Sequence, residues 1–404
     1  MSFDIASFFS ATVRRAPPVH FPAPPESIRY NFDQGVPAPE IYPIDDLIRY
    51  AEQALREFGP DALGYYAGNH FDEMALGYAG LRETIAQRIN RRDGKSQNAR
   101  NIMLVNGSAQ GLALLAHALL DAGDGVVVEA SSFPYAVGYF HSAGAVVKNA
   151  QLDDDGLIIE SVEQCLRELR DAGVRPKFIY TIPTFQVPTG TCMPLARRQQ
   201  LLELAKRWNV LIIEDNCYYE LRYDGANLPT LAALDRDGLV IQSDSFSKML
   251  APGLRLAWVN AAPAVIDALA AVRQDLGVSQ WLARALDAYI RDGRMEPHLD
   301  GVRALYRRKR DVAARALAAH CPDTVRYQVP QGGIYFWLRL DARIDTETLT
   351  RKMAEQGVAC RPGERFSDDP SRAGYLRIAF LQVPEDEVER GIAALGQALR
   401  ESLR

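Results

Sequence analysis

The sequence predicts an α/β protein: a large domain with a mostly parallel sheet between helices, then a smaller α+β C-terminal domain. Two observations carry this. From about residue 100, short β-branched runs alternate with amphipathic helical stretches, the pattern of strands covered on both faces. Beyond a long helical region, the last hundred residues change to isolated strands, two of them followed by helices, which is an ordinary size for a second domain. A chain of 404 residues is long enough for such a division.

In chain order, residues 16 to 44 hold "APPVHFPAPP" and "GVPAPEIYP", too rich in proline for regular elements, so residues 1–45 read as an extended arm lying on a surface. Residues 46–290 form the large domain. Its strands are expected at "NIMLV", "GVVVEA", "KFIYTI", "VLIIED", "LVIQS" and "RLAWVN", with helices at stretches such as "SAQGLALLAHALLDAG" and "PLARRQQLLELAKRW". A helical stretch from Pro263 to His320, interrupted near "RDGRMEPH", bridges to residues 291–404, where "GGIYFWLRL", "VACRPGERF" and "YLRIAF" are the strand candidates.

A net charge of −5 offers no electrostatic footprint for nucleic acid or an anionic membrane, and no apolar run is long enough to span a bilayer. The five cysteines are scattered, without the close pairings of a metal site or redox dithiol, so a reducing, cytoplasmic setting and no metal are expected. The partner is a small molecule.

Arginine carries most of the positive charge; there are only seven lysines. Lys95, Lys206 and Lys309 sit in charged surroundings and read as solvated. Lys248 stands apart, in "SDSFSKMLAPGLRLAWV" after a strand, where open α/β sheets place their ligand crevices. Ser245, Ser247 and Arg255 supply hydroxyls and a guanidinium suited to phosphate. A lysine beside a bound phosphate serves a nucleotide as a point charge, or forms a Schiff base with a phosphorylated aldehyde. No G-x-x-x-x-G-K-[ST] or G-x-G-x-x-G occurs after a candidate strand, which leaves the Schiff base. The plain alternative for Ser-x-Ser-Lys alone is a turn with a solvated lysine.

Several ordered segments decide between these. "GYAGLRETIAQRI", "VNGSAQGLALLA", "IIEDNCYYELRYDG", "SFSKMLAPGLRLAWV", "PQGGIYFWLRL", "RPGERF" and "YLRIAF" resemble, over nearly the whole chain, the fold type I pyridoxal phosphate enzymes of the aminotransferase class I/II group, which includes aminoadipate and kynurenine aminotransferases. The resemblance implies a pyridoxal 5'-phosphate cofactor bound to Lys248 as a Schiff base, with Lys248 then moving protons between the substrate α-carbon and the cofactor. It gives Asp215 to the pyridinium nitrogen and Tyr218 to the phenolic oxygen, with Tyr219 left to packing. Ser108, Ala109 and Gln110, opening a helix, join Ser245, Ser247 and Arg255 around the phosphate. Phe133 takes the place of an aromatic residue stacked on the ring, and Arg377 that of the arginine binding the substrate α-carboxylate. Tyr65, or Tyr66 in its stead, corresponds to a tyrosine reaching the neighbouring subunit's phosphate, which implies a homodimer with composite sites. The residues also allow plainer roles: an N-cap for Asp215 or Ser108, core packing for Phe133, an internal ion pair for Arg377.

Three departures stand out. In "TIPTFQVPTG", Val187 replaces an asparagine whose amide contacts the phenolic oxygen and the substrate carboxylate in the family, and valine offers no donor. Asp244 puts a carboxylate beside the phosphate segment, repulsive unless turned away. The stretch "NHFDEMAL", residues 69 to 76, lengthens a loop near the expected substrate entrance.

The leading expectation is amino-group transfer between an α-amino acid and a 2-oxo acid. The same cofactor serving elimination, replacement, decarboxylation, oxidation or carbon–carbon bond formation is the alternative that Val187 motivates. A non-catalytic ligand sensor of the transcription-regulator kind is a third; it calls for a DNA-binding segment, and residues 1–45 read as an arm.

Overall fold

The computed structural model describes residues 5–10, 13–14, 27–367 and 374–403. Seven strands form the central sheet: β1 (Ile102–Val105), β2 (Gly125–Glu129), β3 (Val146–Ala150), β4 (Pro176–Thr181), β5 (Leu211–Asp215), β6 (Val240–Ser245) and β7 (Ala257–Asn260). Their order is β1-β7-β6-β5-β4-β2-β3. Strands β1, β2, β6 and β7 are buried along their whole length, covered on both faces, although β6 ends in the polar run Gln242, Ser243, Asp244 and Ser245. The edge strand β3 was illegible in the sequence because its "VVKNA" is half exposed and its Lys148 pairs with Glu168 at 2.9 Å. The strand expected at "RLAWVN" runs antiparallel to both neighbours. Residues 246–256 between β6 and β7 hold only turns and the short Pro252–Leu254 helix, too little chain for the crossover that a parallel neighbour requires.

Helices α1 (Ile44–Phe58), α2 (Ala79–Asp93), α3 (Ser108–Leu119), α4 (Pro134–Ser142), α5 (Ile159–Asp171), α6 (Leu195–Trp208), α7 (Pro263–Val272) and α8 (Gln280–Arg291) accompany the sheet. The long helical stretch is broken twice. Before α8 the chain turns through Leu276 and Gly277, both at positive φ, and an added Cβ at Gly277 would strike the Met74 carbonyl. The second break, at Gly293, is the expected one and precedes α9 (Met295–His320).

Three later strands, β8 (Tyr335–Arg339), β9 (Arg361–Pro362) and β10 (Tyr375–Ala379), make an antiparallel sheet in the order β8-β10-β9, accompanied by α10 (Thr346–Glu355) and α11 (Glu385–Glu401). The arm packs here: Tyr30–Asn31 pairs in parallel with Val358–Ala359, and the Ala379 amide donates to the Phe32 carbonyl at 2.8 Å. Arm residues 16–26 lie outside the described residues. Lys309, read from its neighbours as solvated, is only 1 % exposed. It donates to the Leu381 carbonyl at 2.8 Å and pairs with Glu40 of the arm at 2.9 Å, because the inner face of α9 lies where the arm crosses. Among the described residues no helix is long and apolar enough to cross a membrane.

Candidate active site

Strand register brings the predicted residues to one end of the sheet. Ala257 at the start of β7 lies between Val105, the last residue of β1, and Ser245, the last of β6, while Asp215 ends β5 opposite Ser243. The segments after β1 and β6 and before β7 are therefore neighbours at the carboxyl ends of the parallel strands, where helix starts and loops leave backbone donors free.

After β1, Gly107 caps α3 at φ 83°, in the left-handed region, and an added Cβ there would strike the Arg255 guanidinium. Arg255 donates to the Asn106 carbonyl at 3.0 Å, so the β7 side is stitched to the start of α3. The Ser245 hydroxyl donates to Ser247 Oγ at 2.8 Å and accepts from the Ser247 amide at 3.0 Å. Gln110 is committed elsewhere: its amide N–H bonds the Gly107 carbonyl, Oε1 accepts from the Asn106 amide at 2.6 Å, and Nε2 meets Asp275. It therefore shapes the loop rather than offering donors outward. Asp244 is turned away from Ser247. It lies in a buried group with Arg92, Glu220 and Arg88, and burial raises its carboxyl to about 8 against the pull of Arg92 and the Ser245 amide.

Asp215 is 5 % exposed and no helix follows it, which removes the N-cap alternative. Its Oδ2 accepts from the Tyr180 hydroxyl at 2.8 Å, whereas Oδ1 is buried with no partner among the described residues. Burial raises its pKa; the neighbouring Cys217, the Tyr180 hydroxyl and the charge of Lys248 oppose that. Lys248 Nζ donates to the Gly35 carbonyl at 2.6 Å and lies 6.0 Å from the centre of the Tyr218 ring. The Tyr218 hydroxyl is 3.1 Å from that of Tyr335, and burial, then Tyr335, hold its phenol well above the ordinary range.

Arg377 projects from β10 with 5 % exposure, lies over the rings of Tyr335 at 4.5 Å and Phe366 at 5.0 Å, donates to the Asp33 carbonyl, and among the described residues leaves Nε without a partner. Among the described residues no carboxylate pairs with it directly: Asp33 places its side chain on Arg361, at 2.5 and 2.7 Å. Phe133 caps α4, partly buried beside Tyr135. Tyr219 is buried under Arg92, apart from Tyr218. Tyr65 is 62 % exposed, while Tyr66 packs on Phe71; none of the described contacts joins either to the cluster. The 69–76 stretch is clasped rather than loose: Asp72 pairs with Arg82 at 3.0 Å, and the buried Glu73 accepts from the Ala79 amide at 3.0 Å.

Sequence reasoning missed Tyr180, Tyr335 and the arm carbonyls of Asp33 and Gly35. Tyr180 left a signal, since a phenol in the apolar stretch of a strand needs a buried partner and β5 is the neighbouring strand. It also missed Glu129, which holds the Val187 loop by accepting from Gln186 Nε2 at 2.8 Å and Thr181 at 2.6 Å. Burial raises the Glu129 carboxyl to about 7, and those bonds pull against the rise.

A lysine and a buried carboxylate at the ends of parallel strands, beside a helix start with serine and arginine donors, define an enzyme that holds a phosphorylated aldehyde. The sequence model for "Aminotransferase class I and II" matches residues 74–395, and the chain belongs to that family. An aromatic-amino-acid aminotransferase of Thermococcus litoralis is 33 % identical over 92 % of this chain and 88 % of its own. A 2-aminoadipate transaminase of Thermus thermophilus is 32 % identical over 92 % and 90 %. The crystal structure of Pyrococcus horikoshii kynurenine aminotransferase in complex with PMP superposes with a TM-score of 0.90, at 31 % identity over 99 % of both chains. The protein is a pyridoxal 5'-phosphate-dependent aminotransferase of fold type I.

The residues present suit that cofactor. The unpaired buried Oδ1 of Asp215 is costly alone and matches a cationic ring N–H. The Gly107–Arg255 contact leaves room for no side chain where α3 begins, so backbone donors there can approach an anion.

Proposed function

We propose that the enzyme moves the amino group of an α-amino acid to a 2-oxo acid, with Lys248 as the amine and proton carrier. When bound, the cofactor supplies a carbon that takes up the amino group and a ring that accepts electrons from the substrate α-carbon. The carrying observation is the placement of Lys248 Nζ and the buried, half-paired Asp215 around Tyr218. Asp215 keeps the ring nitrogen protonated, with Tyr180 fixing the carboxylate's other oxygen. Tyr218 donates to the phenolic oxygen. Ser108, Ala109, Ser245, Ser247 and Arg255 hold the phosphate, with Gln110 bracing the loop, and Phe133 lies against the ring. Lys248, once free, carries the proton at the substrate α-carbon.

Arg377 binds the substrate α-carboxylate; its free Nε and the aromatic shelf beneath it favour this over an internal ion pair. The aromatic surroundings of Arg377 and the substrates named for the relatives make aromatic and long-chain amino acids the first donors to test. Residues 46–290 act as the cofactor-binding domain and 291–404 as the small domain. Two copies form a homodimer in which Tyr65 of each serves the other's phosphate, a role its exposure leaves open to it. The free cysteines fit a cytoplasmic setting.

Adding amino acids singly to the holoenzyme and following its absorbance tests this: conversion to the amino form of the cofactor is the expected result, and no conversion with any donor refutes it. Val187, buried at 4 % exposure without a donor, favours a second reading in which a different bond at the α-carbon breaks. Ammonia, carbon dioxide or a new carbon–carbon bond among the products, with no amino form, would select it.

A further inference from the structure

Tyr335 belongs to β8, yet its side chain ends among residues from three other parts of the chain. Its ring, 4 % exposed, lies under the Arg377 guanidinium at 4.5 Å and meets the Tyr218 ring edge-on at 5.8 Å. The two hydroxyls are 3.1 Å apart. On the arm, an added Cβ at Gly35 would strike the Tyr335 hydroxyl, and the carbonyl of that same glycine accepts from Lys248 Nζ at 2.6 Å. The Tyr335 phenol is therefore enclosed by the arm, the β10 arginine and Tyr218.

A phenol has one proton. If Tyr218 gives its proton to the cofactor's phenolic oxygen, it has none left for Tyr335, and the bond between them must run from Tyr335 to Tyr218. We infer that Tyr335 is a positioning residue: by donating to the Tyr218 oxygen it aims the Tyr218 proton at the cofactor and strengthens that bond. The inference rests on the role proposed for Tyr218. Donors in series polarise one another, so the pair binds the phenolic oxygen better than Tyr218 does alone. It also accounts for how the site works without an amide at position 187: the orientation comes from β8 instead of from the Val187 loop.

The test is a spectrophotometric pH titration of the bound cofactor in the unsubstituted holoenzyme, Tyr335→Phe, Tyr218→Phe and the double variant. A donor to the phenolic oxygen stabilises the deprotonated chromophore, so losing it moves the transition to higher pH. Tyr335→Phe keeps the ring beneath Arg377, so melting temperature and donor KM stay close to those of the unsubstituted enzyme. Its transition is expected to rise, on the order of half a pH unit, less than in Tyr218→Phe. In the Tyr218→Phe background it adds nothing. A shift in Tyr218→Phe without one in Tyr335→Phe overturns the inference alone, as do additive shifts. No shift in Tyr218→Phe overturns the role of Tyr218 and the inference with it.

Discussion

Asp215 ends an apolar strand, and a carboxylate is stable there only if each oxygen finds a partner. Tyr180 supplies one for Oδ2, and Oδ1 has none among the described residues. The need for a partner was legible in "VLIIED"; that Tyr180 meets half of it was not, because strand order decides which buried hydroxyl lies next door. Asp215→Asn retains the size and the bond from Tyr180 but loses the charge that holds a ring proton. We expect kcat for transamination to fall roughly 10²-fold or more with little change in melting temperature, as steady-state kinetics beside a thermal melt would show. Lys248 stood out by its neighbours, but only the other ordered segments set it apart from a solvated turn lysine. Tyr335 was not legible: its segment read as strand alternation, and its function depends on how the arm and β10 fold over it.

At the level of elements, the start of α3 and the β6–β7 connection form one cradle because β7 runs antiparallel between β1 and β6. The individual strands were readable as apolar runs; the reversal of β7 and the edge strand β3 were not, since direction and pairing come from connection length and tertiary packing. Gly107→Ala forces a side chain into a left-handed backbone position and against Arg255. Cofactor affinity should fall about tenfold or more by equilibrium titration of the apoenzyme, the equivalent of one good hydrogen bond.

Asp244 sits near the end of β6, facing the other way. Its folded pKa, about 8, lies above that of an exposed carboxylate, so the folded state binds the extra proton between ordinary acid pH and 8. Its contribution to stability is complete below the unfolded pKa and is lost as pH rises through 8. Asp244→Asn removes that dependence. The melting temperature of the variant relative to the unsubstituted protein should therefore rise by a few degrees between pH 5 and pH 9; a constant difference would contradict the assignment.

For the whole molecule, the seven-stranded sheet, the later three-stranded sheet and the long helices were readable in outline from the order of elements. The arm's ties were not: Lys309 looked solvated in "YRRKRD" and is buried against Glu40 and the chain after β10. A sequence shows which residues are charged but not which helix face the arm crosses. Association between copies belongs to this scale too. If Tyr65 completes the partner's site, mixing inactive Lys248→Ala with a weak Tyr65→Ala variant under exchange conditions restores activity, because one site of each hybrid dimer carries neither defect. Absence of recovery despite exchange would assign Tyr65 to its own subunit.

The central claim is that Lys248 is the amine joined to the cofactor. Borohydride reduction of the holoenzyme followed by peptide mass spectrometry tests it most directly. The account predicts a reduced phosphopyridoxyl mass on the peptide containing Lys248 and its absence from the other six lysines; the label on another lysine, or on none, would contradict it.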